Sequence, residues 1–409
     1  MGRTPLIRPK IAVVHPGVDH CGSMAKAVWC VEALKADCEV TLITFGQVDM
    51  DQLNCFFGTQ LRREEFALHT VLMPLGLHRR ARFTALQSAF FQRYVRRVTP
   101  EYDVMISAYN PCDFGVPGIQ LIGDFTFSEE LYHAKHPALG DYRQRWYGDF
   151  PLRTIYLALC RSIWRPDPAG WRRNVTVADS AWARDVMGRE FGIEARAVCP
   201  PVAEDFPQVP WQVREDGFLC VGKIVPEKRT DAAIRILSGV RERGYNVHLH
   251  VLGRLDSSPY AKRLKKLAEA NAGWVSLEGI TYGERKKHLL AGHRYVIHAC
   301  ENEAFGIALA EMAKAGCIAF APDGGGQREI LDHPLLTFSD EEDAIGKIAA
   351  VLASDPLKVI LRQHLAARAR EFSAEKFASN VRAVVFEFLE QKETSHLRPA
   401  GPTVSSVVP

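Results

Sequence analysis

Short apolar runs separated by stretches of helical periodicity recur through almost the whole chain, and this alternation leaves few folds open. In the first half, Lys10 to His15, Glu39 to Thr44, Asp103 to Ser107, Gly118 to Ile122, Asn174 to Ala178 and Ala195 to Cys199 read as strands. In the second half, Phe218 to Gly222, His248 to Leu252, Trp274 to Leu277, Arg294 to Ala299 and Cys317 to Ala321 do the same. Strands linked by helices pair in parallel, and the helices then cover both faces of the sheet. The pattern breaks at Cys199-Pro200-Pro201-Val202 and again around Pro207 and Pro210. A chain of 409 residues, 47% hydrophobic, is long enough for two ordinary domains. The expectation is an α/β protein of two Rossmann-like, doubly wound parallel-sheet domains, residues 1–205 and 206–372.

The segment richest in chemistry is Glu303-Ala304-Phe305-Gly306-Ile307, followed by Ala308-Leu309-Ala310-Glu311. It joins the Arg294 run to an apolar helical stretch from Ile307 to Ala315, so Phe305-Gly306 falls at the turn. A helix that begins there points unpaired amides outward. With the positive end of the helix dipole they suit a diphosphate, and Gly306 lets the backbone approach it closely. Glu311 sits among apolar residues, where a carboxylate needs hydrogen-bonding partners, and ribose hydroxyls are natural ones. A solvated helical Glu is the plainer alternative.

Upstream, the Phe218 run leads directly into Lys223-Ile224-Val225-Pro226-Glu227-Lys228 before helical periodicity begins near Thr230. Two lysines flank this strand-to-helix turn. Ammonium groups there can neutralise the charge that builds on a leaving diphosphate, a task otherwise given to a metal ion. Taken singly, each lysine could equally be a surface charge. Downstream, Pro322-Asp323-Gly324-Gly325-Gly326-Gln327-Arg328-Glu329 is a glycine turn between another strand and another helix.

In this order and with these gaps, the motifs resemble those of the retaining GT-B glycosyltransferases of family 4, the glycosyl transferases group 1. Gly222, Lys223 and Lys228 match its Gly-Arg or Gly-Lys turn with a following Lys. Glu303, Phe305, Gly306 and Glu311 match its Glu-x-Phe-Gly-x-x-x-x-Glu, and Gly325, Gly326 and Glu329 match its Gly-Gly-x-x-Glu turn. The resemblance covers roughly residues 10–390. It implies a GT-B enzyme, its two domains facing each other across a cleft, that moves a hexose from a UDP- or GDP-sugar to a glycan, glycolipid or polyprenyl-linked acceptor, with retention of configuration and with no metal or other cofactor. In that scheme Lys223 and Lys228 hold the donor diphosphate and Glu311 holds the ribose. Glu303, with the backbone of Phe305, Gly306 and Ile307, holds the transferred sugar. The resemblance also implies that a terminal helix, residues 373–391, packs back on the first domain.

The first domain departs from the family pattern. Lys10 to His15 leads through Pro16-Gly17-Val18-Asp19-His20-Cys21-Gly22-Ser23 into a helix from about Met24 to Lys35, an opening of dinucleotide-fold outline. Neither Gly-x-Gly-x-x-Gly nor a Gly-Lys-Ser/Thr ending is present, which argues against a nicotinamide-dependent oxidoreductase or a P-loop enzyme. Where the family carries Gly-Gly beside the donor, this chain has Gly22-Ser23. Where many members present His-Asp to the donor sugar, it has Gly123-Asp124, and His133 and His136 are the substitutes at hand. Asp124 is either a sugar or acceptor contact or a helix cap in the turn before Ser128. These departures keep open an inactive sugar-nucleotide-binding GT-B protein as the alternative.

Ten cysteines without a Cys-x-x-Cys pair, several inside apolar runs, read as reduced thiols of a cytoplasmic protein without a zinc site. The apolar run after Arg3, Arg8 and Lys10 is too short for a signal peptide, and no stretch reaches membrane-spanning length. Asp49-Met50-Asp51 spells the metal-binding Asp-x-Asp of the other major glycosyltransferase fold, and His15, Asp19, His20 and Cys21 could suggest a metal. Both read as ordinary loop composition, with no metal expected. A net charge of +3 gives no bulk attraction to nucleic acid. The charge is uneven, however. His78 to Val98 holds six arginines and no acid, with Phe83, Leu86, Phe90, Phe91 and Tyr94 at helical spacing; Arg143 to Arg173 holds seven against two acids. Such a basic amphipathic helix either lies on anionic lipid at the inner face of a membrane or turns its apolar side to the core. Residues 392–409 show no periodicity and read as a disordered tail.

Overall fold

A computed structural model describes residues 8–17, 22–46, 48–72, 83–135, 151–165, 167, 169–202 and 205–397. The first sheet has seven strands: β1 (Lys10–Val14), β2 (Glu39–Phe45), β3 (Ala67–Val71), β4 (Val104–Ser107), β5 (Ile119–Ile122), β6 (Val175–Ala178) and β7 (Ala195–Ala197). The second has six: β8 (Glu215–Val221), β9 (His248–Leu252), β10 (Val275–Gly279), β11 (His293–Ile297), β12 (Ile318–Pro322) and β13 (Thr337–Phe338). All their pairings are parallel, in the orders β3-β2-β1-β4-β5-β6-β7 and β10-β9-β8-β11-β12-β13. The two doubly wound sheets are those read from the alternation of the sequence.

Burial on both faces explains why the strands are apolar throughout. In β1, Ile11 and Val13 join one core with the helix Gly22–Leu34, while Ala12 and Val14 join another with the helix Thr84–Val98. Successive side chains of a strand point to opposite faces, so a strand covered twice must be apolar at every position. β3 has no such run. It lies at the sheet edge with Ala67, His69 and Thr70 at least partly exposed, which is why no strand was expected there.

The helix Thr84–Val98 buries Ala89, Phe91, Val95 and Val98 against the first sheet. Arg93 donates to Ile163 O at 2.9 Å and Arg96 to Arg165 O at 3.4 Å, so this basic helix turns its apolar side to the core. Residues 73–82, where the basic segment begins, lie outside the described residues.

The terminal helix runs from Ala374 to Leu397 and packs back on the first domain, where Phe377, Val381, Val384 and Val385 share a core with the helix Gly22–Leu34. It does not end at residue 391. The run Glu390-Gln391-Lys392-Glu393 is made of strong helix formers, and Lys392 Nζ donates to Asp103 O at 2.8 Å, so residues 392–397 are helical rather than tail. Residues 398–409 lie outside the described residues. Val202 N donates to Phe372 O at 3.1 Å, so the chain leaves the first domain and returns to it side by side.

In each sheet the strand order reverses beside the first strand, between β1 and β4 and between β8 and β11. Loops on either side of a reversal diverge and open a crevice at the carboxyl ends of the strands, where ligands bind in this class of sheet. Lys223 and Lys228 follow β8, and Glu303 follows β11, so the sequence motifs flank the second crevice.

Candidate active site

Beyond β8 a single 3₁₀ turn, Pro226–Lys228, delivers Lys228 into the crevice, while Lys223 stays exposed at its rim. Beyond β11 the loop from His298 to Gly306 supplies the opposing groups. Lys228 Nζ pairs with Glu303 Oε2, and His298 Nε2 lies 3.3 Å from the same oxygen. Burial alone would raise the Glu303 carboxyl, but Lys228 and His298 outweigh it and hold the carboxyl well below its usual range. Burial would likewise lower the Lys228 ammonium, and Glu303 outweighs that too, leaving it above its ordinary value. Both groups are therefore charged at neutral pH.

The glycine turn after β12 fixes the loop from beneath. A Cβ on Gly325 would meet Glu303 O at 2.4 Å and one on Gly326 would meet Ala304 O at 2.2 Å, so only glycines fit. Gly326 N donates to Glu303 O at 2.8 Å, and the fully buried Gln327 donates to Cys300 O at 2.8 Å and Pro322 O at 3.0 Å. Phe305 turns inward, 2% exposed, its ring 5.3 Å from that of Phe372, and Gly306 beside it is buried as well. Gly306 adopts φ +103°, a conformation that a side chain strains, and starts the helix Ile307–Lys314. Glu311, one turn further on, has a partner on the chain: Lys286 Nζ at 2.9 Å, itself buried. A carboxylate has lone pairs for more than one donor, so this pair does not exhaust Glu311.

The first domain faces this loop closely. A Cβ on Gly22 would meet Ile307 Cδ1 at 2.8 Å, so the amino ends of the helices Gly22–Leu34 and Ile307–Lys314 meet across the cleft. The hydroxyl that distinguishes Ser23 from the family glycine lies 3.0 Å from His15 Nε2, and His15 Nδ1 lies 2.6 Å from Gly17 O. The place beside Gly123, where the family histidine would project, is filled. A Cβ there would meet Lys26 Nζ at 2.5 Å, and that ammonium is 2.9 and 3.0 Å from the two Asp179 oxygens, with both residues buried. Asp124 Oδ1 accepts from Asn110 Nδ2 at 2.6 Å and from Thr126 N at 3.0 Å; Ser128, not Asp124, caps the helix Glu129–Lys135. His136 and the side chain of His133 lie outside the described residues. Asp49 caps the helix Met50–Phe57, accepting from Gln52 N at 3.0 Å.

Sequence reasoning missed the ties between the domains. Ser180 Oγ donates to Ala304 O at 2.5 Å while accepting from Ala183 N, and Asn302 Nδ2 donates to Lys135 O at 2.6 Å. Glu329 of the Gly-Gly-x-x-Glu turn accepts from Ala181 N at 3.1 Å and Trp182 N at 2.9 Å, capping the helix Ala181–Phe191 of the other domain. Ser180 before a helical run carried the signal of a cap, but nothing in the sequence pointed to a partner more than a hundred residues away. His298, at the end of an apolar run, and Lys286 carried no signal at all.

Residues 202–372 match the family model described as Glycosyl transferases group 1. Among curated proteins no sequence matches significantly. Solved structures of glycosyltransferases do match along nearly the full length. Anabaena Alr3699/HepE, solved with UDP and glucose, is 13% identical over 93% of this chain and 100% of its own, with a TM-score of 0.66. A glycosyltransferase from Rickettsia africae ESF-5 is 14% identical over 94% and 99%, with a TM-score of 0.63. WaaG, a glycosyltransferase involved in lipopolysaccharide biosynthesis, is 16% identical over 91% and 99%, with a TM-score of 0.62. At such identities the likeness speaks for the fold. The chain thus has the GT-B architecture of two facing parallel-sheet domains, and its second half carries a glycosyl transferases group 1 domain.

Proposed function

We propose that this protein transfers a hexose from a UDP- or GDP-sugar to a glycan, glycolipid or polyprenyl-linked acceptor, with retention of configuration. The observation that carries the proposal is the ionised Lys228–Glu303 pair, held at the strand reversal of the second sheet beside the amino end of the helix Ile307–Lys314. UDP bound to Alr3699/HepE supports a uridine donor in the same fold. In the reaction, the bond from sugar C1 to the diphosphate oxygen breaks and its electron pair stays on the diphosphate. Lys223, Lys228 and the amides of Phe305, Gly306 and Ile307 stabilise that charge, with Gly222 and the Gly22-Ser23 turn close to the phosphates. The acceptor oxygen bonds to C1 on the face the diphosphate leaves, and its proton passes to the departing phosphate oxygen. Glu303 orients the sugar hydroxyls, Glu311 binds the ribose, and Asp124 contacts sugar or acceptor. The two lysines supply the positive charge at the phosphates, so the proposal needs no metal and no cofactor in the cleft.

Thermal unfolding with UDP, GDP, ADP, CMP and NAD in parallel tests the donor. A rise with UDP or GDP alone is expected, worth about 2.7 kcal/mol at a hundred times Kd. Glu311→Ala should diminish that rise, and a protein that no nucleotide stabilises would be better read as an inactive GT-B relative. Proton NMR of the product then decides the stereochemistry, the same anomer as the donor being expected.

A lipid-linked acceptor is supported by the first domain. Ile155 and Leu159, 65% and 57% exposed, lie one turn apart on the helix Pro151–Trp164, which also carries Arg161 and receives a hydrogen bond from Arg93 at Ile163 O. An exposed apolar pair on a helix that also bears arginine suits an anionic lipid surface, and we place the protein in the cytoplasm at the inner face of a membrane. No described helix is long and apolar enough to cross one. Co-sedimentation with anionic vesicles above neutral ones is the expected result, and equal partition removes the lipid part of the proposal.

A further inference from the structure

We infer that Glu215, His248, His250 and His293 form a structural site for a divalent transition metal such as zinc, at the end of the second sheet opposite the donor crevice. Glu215, His248 and His293 begin the neighbouring strands β8, β9 and β11, and His250 lies two residues into β9, whereas the proposed donor groups follow the carboxyl ends. His248 and His250 alternate along β9 and so project from the same face. Their register places them beside Gly217 and Leu219 of β8, while His293 pairs with Glu215 across the other side of that strand. Gly217 makes the convergence feasible. A Cβ there would meet His248 Nε2 at 2.1 Å, so any other residue would displace the ring.

The hydrogen bonds at the back of the rings fix which nitrogens face one another. His293 Nδ1 is 2.8 Å from Leu289 O, an acceptor only, so Nδ1 carries the proton and Nε2 presents a bare lone pair. His250 Nδ1 is 2.8 Å from Glu278 Oε1, the carboxylate–histidine arrangement that orients imidazole ligands at metal centres. His293 is 1% exposed and its Nε2 has no hydrogen-bond partner, while His248 Nε2 faces the Glu215 carboxylate. A buried lone pair left in this way on His293 is costly unless something binds it. The candidate ligand atoms lie within 4.8 Å of one another, with Glu215 Oε2 at 3.2 Å from His248 Nε2 and 3.8 Å from His293 Nε2. Ligands bound at 2.0–2.1 Å in a tetrahedron stand about 3.3 Å apart, so only small movements would close the set. Three imidazoles and one carboxylate are a donor set that suits zinc. With all four positions filled by the chain, the site would clamp β9, β8 and β11 together and leave no open position for catalysis.

The test is to strip the purified chain with chelator and dialyse it against micromolar zinc. Retention of about one equivalent per chain is expected, with an X-ray absorption shell of nitrogen and oxygen at about 2.0 Å and imidazole scattering. His250→Ala and His293→Ala should each lower zinc affinity by at least about tenfold. His298→Ala should leave it unchanged, because His298, Cys300 and Glu303 form a separate cluster in the donor crevice. No retained zinc, retention undiminished in His250→Ala and His293→Ala, or a shell containing sulfur would each overturn the inference. Should a variant fail to fold, the stoichiometry and spectrum of the unaltered chain still decide. None of these readouts depends on glycosyl transfer.

Discussion

Replacing Lys228 with alanine is expected to lower kcat/KM for glycosyl transfer by about 10²- to 10³-fold, the usual cost of removing one group that stabilises charge as it develops. The loss should fall mainly on kcat, because the leaving diphosphate carries more charge at the phosphate bridge in the transition state than in the bound donor. A second effect adds to it. Burial works to raise the Glu303 carboxyl, and Lys228 is the largest influence against it, with His298 next, so the loss of that ammonium weakens what keeps Glu303 ionised. The carboxyl of the variant should therefore titrate higher, and whatever activity survives should increase with pH as Glu303 ionises. Lys228→Arg keeps the charge but not the compact ammonium that fits beside Glu303, and it should recover only part of the rate. The measurement is the pH profile of kcat/KM, using a sugar donor built on whichever nucleotide stabilises the protein, with circular dichroism to verify folding. Near-normal transfer by Lys228→Ala would sink the assignment of this pair to the donor phosphate.

What the sequence disclosed and what it hid divide along a physical line. Periodicity is local, so the central strands and their connecting helices could be read directly, and the motifs of Gly222 and Lys228 and of Glu303 and Gly306 could be placed on the turns after two of those strands. The edge strand β3 escaped because a strand covered poorly need not be apolar. Long-range pairing is not written locally. Nothing near Glu329 announces that its carboxylate caps a helix of the other domain, and nothing near Lys26 announces Asp179. The histidines of β9 and β11 are more than forty residues apart, and the sheet order brings His293 beside His248 and His250. Gly123 is the instructive case. Sequence comparison registers a missing histidine, whereas the structure registers an occupied space.

That occupied space leads to the second large effect. Lys26→Ala should destabilise the first domain by about 3–5 kcal/mol, because it leaves the buried Asp179 carboxylate without its counter-ion. Burial already pushes the Asp179 carboxyl above its usual range, against the pull of Lys26, and the nearby charges of Asp124 and Glu303 push the same way. Removing Lys26 removes the pull, so the folded variant should hold a proton on Asp179 that the unfolded chain releases at ordinary carboxylate pH. A carboxyl whose folded pKa is raised contributes stability that is full below the unfolded value and is lost as pH rises through the folded one. The penalty should therefore be small near pH 4 and complete at pH 8. Chemical denaturation across that range measures it, and the double variant Lys26→Met/Asp179→Leu should regain most of the loss, since a buried ion pair replaced by apolar side chains of similar size is often neutral. A penalty independent of pH, or a double variant no better than the single, would mean that Lys26 acts through packing rather than charge. The consequences should reach the donor loop as well. Asp179 precedes Ser180, whose hydroxyl holds Ala304 O, so a shift of the carboxylate disturbs the residue next to Glu303. Transfer by the refolded double variant should be slower than that of the unaltered chain even where stability is restored, because the ammonium that fills the place of the family histidine will have gone.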